Sequence, residues 1–154
     1  MKSYTVILVF NRSMSEVCLL RKKKGAVCYE GCWNGCGGHI EESETPLECA
    51  VRELHEELGL TKRPEEMLCV GMQQVFNFAD DSEEGLNGYL VYWFMTIDEG
   101  KEAKQCENEP IFWWPVERVL LDTVNADLFA GNGNLQYYIK QALIAIKEAR
   151  RKYR

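Results

Sequence analysis

The sequence predicts a single α/β domain spanning residues 1–154, a mixed sheet with helices packed against it. Three features predict it: a series of β-favouring apolar runs, an amphipathic helical segment in the first half, and a second one at the C-terminus. The length allows one real hydrophobic core and is short for two ordinary domains.

In chain order, Tyr4 to Phe10 is a continuous β-favouring run. After a polar break at residues 11–15 a second run follows, Val17 to Leu20, and the two read as paired central strands. The segment 45–58 reads as a helix with its ends written in. Thr45 is a good N-cap, Pro46 suits the first helical position, and Glu48, three residues after Thr45, completes a capping box. Gly59 can close the helix in the left-handed conformation. Leu47, Ala50, Val51, Leu54 and Leu58 share one face and predict its burial. Met67 to Phe76, Leu86 to Ile97 and Ile111 to Trp114 supply three more strands, separated by Gly-bearing or acidic connections such as 79–85, and Pro115 ends the last. Leu135, Tyr138, Ile139, Ala142, Leu143, Ile146 and Ala149 then recur at the helical period, which predicts a packing helix without chemistry of its own.

Composition narrows the function classes. A formal net charge of -6 argues against a nucleic-acid polymer as partner, because backbone binding relies on surplus Lys and Arg. The basic clusters are Arg21 to Lys24 and the tail from Lys147 to Arg154; the tail reads as a helix end whose cations complement the macrodipole. No stretch approaches the ~20 apolar residues of a membrane span, and no signal peptide is evident, so a soluble cytoplasmic protein without membrane contact is expected. Seven cysteines, Cys18, Cys28, Cys32, Cys36, Cys49, Cys69 and Cys106, form an odd set that suits reduced, buried thiols. Zinc on Cys28, Cys32, Cys36 and His39 is the weaker alternative.

The segment from Glu41 to Glu57 holds seven glutamates and one arginine. Glu53, Glu56 and Glu57 lie three and four residues apart, so the helix brings three like charges within one turn, on the surface expected to face away from the core. A hard divalent cation relieves that repulsion, and oxygen-only donors favour Mg²⁺, Mn²⁺ or Ca²⁺.

The spacing is more specific than the charge. Gly38, Glu44, Arg52, Glu53, Leu54, Glu56, Glu57, Gly59 and Leu60 match every defined position of G-x5-E-x7-R-E-U-x-E-E-x-G-U, nine positions over 23 residues, and the segment resembles the signature box of the Nudix hydrolases. The resemblance implies a Nudix-type α/β/α sandwich and Mg²⁺-dependent hydrolysis of a nucleoside diphosphate linkage, with Mn²⁺ as a possible substitute. It implies Glu53, Glu56 and Glu57 as metal ligands with the Gly38 carbonyl, and an Arg52–Glu44 ion pair holding the loop against the helix. The general base is Glu53 in the box or Glu107 on a later loop, with Glu107 slightly favoured.

Beyond the box, Trp33 to Gly38 and Tyr4-Thr5 resemble the oxidised-purine nucleoside triphosphatases, which clear 8-oxo-dGTP from the nucleotide pool. That resemblance implies Thr5 and Asn34 facing the purine, Trp33 beside it and a basic residue, Lys22, near the nucleotide, with monophosphate and pyrophosphate as products. The loop before the last helix offers Asp127, Asn132 and Asn134 but no Asp-Asp pair, so another base or a broader range stays open. So do hydrolysis of ADP-ribose or a dinucleotide, and a non-catalytic nucleotide sensor, although sensors usually lose the box carboxylates. A monomer and a homodimer are equally compatible with the sequence.

Overall fold

The computed structural model describes residues 2–23, 31–77, 87–121, 128–131 and 133–152. Cys28, Lys24, the acidic connection 79–85, Asp127 and Asn132, all singled out above, lie outside these. The elements are β1 (Lys2–Phe10), β2 (Glu16–Arg21), β3 (Trp33–Asn34), α1 (Pro46–Leu58), β4 (Leu68–Asn77), β5 (Asn87–Ile97), β6 (Ile111–Pro115), α2 (Val116–Leu121) and α3 (Asn134–Lys152). A short 3₁₀ turn at Pro64–Glu66 leads into β4. β3, the 3₁₀ turn and α2 are additions to what the sequence pattern predicts.

The sheet is mixed. Its order is β3-β2-β1-β5-β4, with β6 pairing β2. β1 runs parallel to β5 over its whole length and antiparallel to β2 only at Val9 and Phe10. Strands covered on both faces tolerate apolar residues at every position, which is why β1 reads as an unbroken hydrophobic run. Val6, Leu8 and Phe10 enter one core with Leu135, Tyr138, Ile139 and Ala142 of α3. Ile7 and Val9 enter a second core with Ala50, Leu54 and Leu58 of α1. The result is a three-layer α/β/α sandwich.

One departure from a regular sheet positions the site. Beyond Val9↔Cys18 the strands β1 and β2 diverge, and the segment 33–40 fills the gap between them. On one side Leu20 pairs with Asn34 and Arg21 with Trp33. On the other, the Thr5 N–H donates to the Gly38 carbonyl at 2.9 Å, and Ile7 exchanges hydrogen bonds with Cys36. Gly37 (φ 154) lies so close to the β1 backbone that a Cβ would collide with the Thr5 carbonyl.

Cys18, Cys36, Cys49, Cys69 and Cys106 are free, whereas Cys32 is disulfide-bonded, so the expected wholly reduced set is corrected at that residue. Among the described residues no helix is long and apolar enough to cross a membrane.

Candidate active site

The site is built where the wedge 33–40 passes over α1. The helix begins as its sequence dictates: the Glu48 N–H donates to Thr45 Oγ1 at 3.1 Å and the Thr45 N–H donates to Glu48 Oε2 at 2.8 Å, with Gly59 (φ 67) closing the other end. That fixes the rotation of α1 and directs its acids toward the wedge.

The acids do not all lie on an open surface facing away from the packed protein, as the helical wheel predicts. Glu57 is 4% exposed, Glu53 12%, and Glu56 alone is open at 46%. The expectation is corrected because the wedge 36–38 lies over this side of the helix. The Gly37 N–H donates to Glu57 Oε1 at 2.8 Å, and the Cys36 thiol lies 3.7 Å from the same oxygen. Burial pushes the Glu57 carboxyl up to about 7, against the attraction of Lys22 and the Gly37 N–H. Burial also raises Glu53, with Arg52 opposing it.

Two cations pair with these acids. Arg52 donates to both oxygens of Glu44, at 2.6 and 3.0 Å, and reaches Glu53 at 3.0 Å, Glu56 at 3.2 Å and the His39 carbonyl at 3.2 Å. One guanidinium thus joins the loop to two helix acids, using the planar fork that suits carboxylates. The hydrogen bonds from Arg52 hold the Glu44 carboxyl down at about 2, and Glu44 in turn raises Arg52. On the other flank Lys22 Nζ lies 3.3 Å from Glu57 Oε2 and 3.6 Å from Glu109 Oε1.

The residues fit a hard divalent cation by donor chemistry: three carboxylates and the Gly38 carbonyl offer oxygen alone. At Gly38 a Cβ would collide with the Glu53 carboxylate, so glycine leaves room for the acid against the loop. Among the described residues, no three acidic, histidine or cysteine side chains converge as a ready cluster. Arg52 and Lys22 engage the carboxylates in its place.

The other candidates divide between places. Glu107 is exposed, and its carbonyl accepts from the Gln105 amide. Glu109, two residues on, is the acid of that loop that faces the site: it pairs with Lys22 and accepts from the Lys23 N–H at 3.1 Å. Nothing in the sequence separates these two acids, since only the turn before Pro110 decides which one points inward. Thr5 is buried, with Oγ1 3.4 Å from Cys49 Sγ, and Asn34 is buried with its Oδ1 accepting from the Gly35 N–H. Asn34 pairs with Leu20 and shares the α1 side of the sheet, whereas its neighbour Trp33 points to the α3 side. There Trp33 packs edge-on against Trp114 and Phe112. The structure therefore brings Lys22, Gly38, Glu44, Arg52, Glu53, Glu56 and Glu57 together and leaves Trp33 across the sheet.

The first helix of the three-layer sandwich thus presents guanidinium-tied glutamates beneath a glycine wedge. The NUDIX domain family model matches residues 1–130, and the chain belongs to the Nudix family. An uncharacterized Nudix hydrolase of Pseudomonas aeruginosa is 40% identical over 57 residues, 36% of this chain and 33% of that protein, so the chain spans about a third of that relative's length. Among solved structures, the dihydroneopterin triphosphate pyrophosphohydrolase of E. coli superposes with a TM-score of 0.69 at 16% identity, covering 93% of this chain and 95% of that one. The NUDIX domain of Shewanella oneidensis NrtR, complexed with ADP ribose, superposes with a TM-score of 0.67 at 18% identity, covering 94% and 87%. At these identities the two structures speak to the fold alone.

Proposed function

We propose that the chain is a Mg²⁺-dependent hydrolase that converts a purine nucleoside triphosphate, an oxidised one such as 8-oxo-dGTP foremost, and water into the nucleoside monophosphate and pyrophosphate. The observation that carries the reading is the placement of Glu53, Glu56 and Glu57 on α1 at the Gly37-Gly38 wedge, Glu53 and Glu56 tied by Arg52 and the buried Glu57 held by the Gly37 N–H and Lys22. Nudix hydrolases generally use divalent metal ions such as Mg²⁺. In this chain Glu53, Glu56, Glu57 and the Gly38 carbonyl would hold the ion. Bound there, it supplies a Lewis acid for phosphoryl oxygens and lowers the pKa of water.

The chain's own residues do the rest. Arg52 and Glu44 position the ligands by tying loop to helix, so they act through Glu53 and Glu56. The proton of the attacking water goes to Glu53 or to the late loop, where the inward placement of Glu109 favours it over Glu107. Lys22 offers its charge to the substrate's phosphates. Asn34 and Thr5 are the purine-side residues on the same face of the sheet as α1, and Trp33 contributes at most from the opposite side.

A second substrate reading is hydrolysis of an ADP-ribose-type linkage, ADP ribose being the ligand of the Shewanella domain that shares this fold. The test is incubation of the protein with Mg²⁺ and a panel of triphosphates, oxidised purine nucleotides, ADP-ribose and dinucleotides, with products resolved by chromatography. Pyrophosphate release from triphosphates is expected; turnover of ADP-ribose alone would replace the first reading with the second. Glu56→Gln and Glu57→Gln should each abolish turnover with the fold retained by circular dichroism. Full activity in either variant would remove that residue from the ligand set.

A further inference from the structure

We propose that Lys22 is a resident cation of the metal site: its ammonium occupies the Glu57 oxygen that a divalent ion needs, and metal loading transfers it to Glu109. The inference rests on the metal-binding part of the function proposed above and adds a competitor for the same carboxylate.

The geometry leaves Lys22 little choice of position. Its backbone is pinned at the end of β2, with the Lys22 N–H donating to the Cys32 carbonyl at 2.8 Å and the Gly31 N–H donating to the Lys22 carbonyl at 2.6 Å. Its side chain is 13% exposed, so the ammonium depends on carboxylates rather than water. Glu57 is equally constrained. One oxygen is committed to the Gly37 N–H, and the other, Oε2, faces Lys22 at 3.3 Å. An ion that takes Oε2 meets the ammonium on the same atom, and two cations at one oxygen repel.

The second seat is already in place. Glu109 Oε1 lies 3.6 Å from the same Nζ, and its other oxygen is anchored by the Lys23 N–H, so the acid stays near whether or not Lys22 leaves Glu57. Leaving Glu57 keeps the ammonium in the Glu109 pair it already makes, so no buried charge is stranded. It also couples the metal site to the loop that carries Glu107 and Glu109. An ammonium held there stands ready for the phosphates of an incoming nucleotide.

The experiment is calorimetric titration of Mn²⁺ into the nucleotide-free protein, alongside melting curves with and without the metal. Lys22→Met is expected to bind Mn²⁺ at least about tenfold tighter, because it removes a positive charge from the oxygen the ion takes. Its metal-free form should melt lower and gain more on Mn²⁺ addition. Lys23→Met removes an equal charge from an exposed neighbour and should shift affinity less than about twofold, because exposed charges are screened. Glu109→Gln, which keeps Lys22 but removes its second seat, should bind Mn²⁺ several-fold more weakly. Equal affinities in the Lys22 and Lys23 variants overturn the exchange, and if Lys22→Met does not fold, an unchanged affinity in Glu109→Gln overturns it alone. No Mn²⁺ uptake by the wild-type chain would instead sink the metal-dependent function itself, and with it this inference.

Discussion

Glu44 meets the Arg52 guanidinium with both oxygens, and that single contact ties the loop before α1 to the acids on it. Arg52 holds the Glu44 carboxyl at about 2, below its ordinary 4.5. A carboxyl depressed on folding stabilises the fold fully above its unfolded value and loses that contribution as pH falls through its folded one. The Arg52–Glu44 contribution is therefore complete above about pH 4.5 and fades toward pH 2. Glu44→Gln should lower the melting temperature near neutrality and flatten its decline across that acid window, by calorimetry at a series of pH values. Wild-type and variant curves that run parallel would show that the pair contributes nothing pH-dependent. At this scale the box residues were legible because their spacing is itself the signal. The burial of Glu57 was not, because a helical wheel shows which residues share a face but not what other segment covers it. Glu109 was hidden for the related reason that the inward acid of a loop is chosen by a turn, which carries no periodicity.

Among the elements, α1 was readable to its ends because capping is local chemistry, satisfied by residues three apart in sequence. Thr45→Ala removes the acceptor for the Glu48 N–H and should cost about 1 kcal/mol of stability, typical of a lost N-cap. Urea unfolding would measure it, and an unchanged midpoint would mean that tertiary packing alone sets the helix start. The variant should also weaken metal uptake slightly, since the first turn sets the rotation that aims Glu53 and Glu57. β3 and α2 escaped the pattern for a common reason. Two residues cannot show alternation, and six cannot show a helical stripe, so both owe their form to partners: Trp33 and Asn34 to the backbone of β2, Val116 and Val119 to the α3-side core. The wedge 33–40 is the extreme case, since its shape comes from the divergence of β1 and β2 around it.

Across the whole molecule the sheet separates labour: α1 and the carboxylates lie on one face, α3 and an aromatic core on the other. The α3 side is anchored by Trp93 and Tyr138, stacked with ring centroids 4.4 Å apart and planes 9° from parallel. Tyr138 also sits over Gly71, at the register shift in β4, where a Cβ would come within 2.7 Å of the Tyr138 ring. The ring cannot yield freely, because the indole of Trp93 lies flat against it. Gly71→Ala should therefore displace Tyr138 and destabilise the fold by about 1–3 kcal/mol, the range for an overpacked core. If the layers are independent, the folded variant keeps the Mn²⁺ affinity of the wild type, because the disturbance is on the α3 side and Glu53, Glu56 and Glu57 are on the α1 side. Denaturant midpoint and Mn²⁺ titration, measured on one preparation well below its unfolding transition, separate the two effects. A lowered midpoint with unchanged affinity supports a sheet that insulates the site from its far layer, whereas parallel losses would show that α3 packing is transmitted through β1 to the wedge.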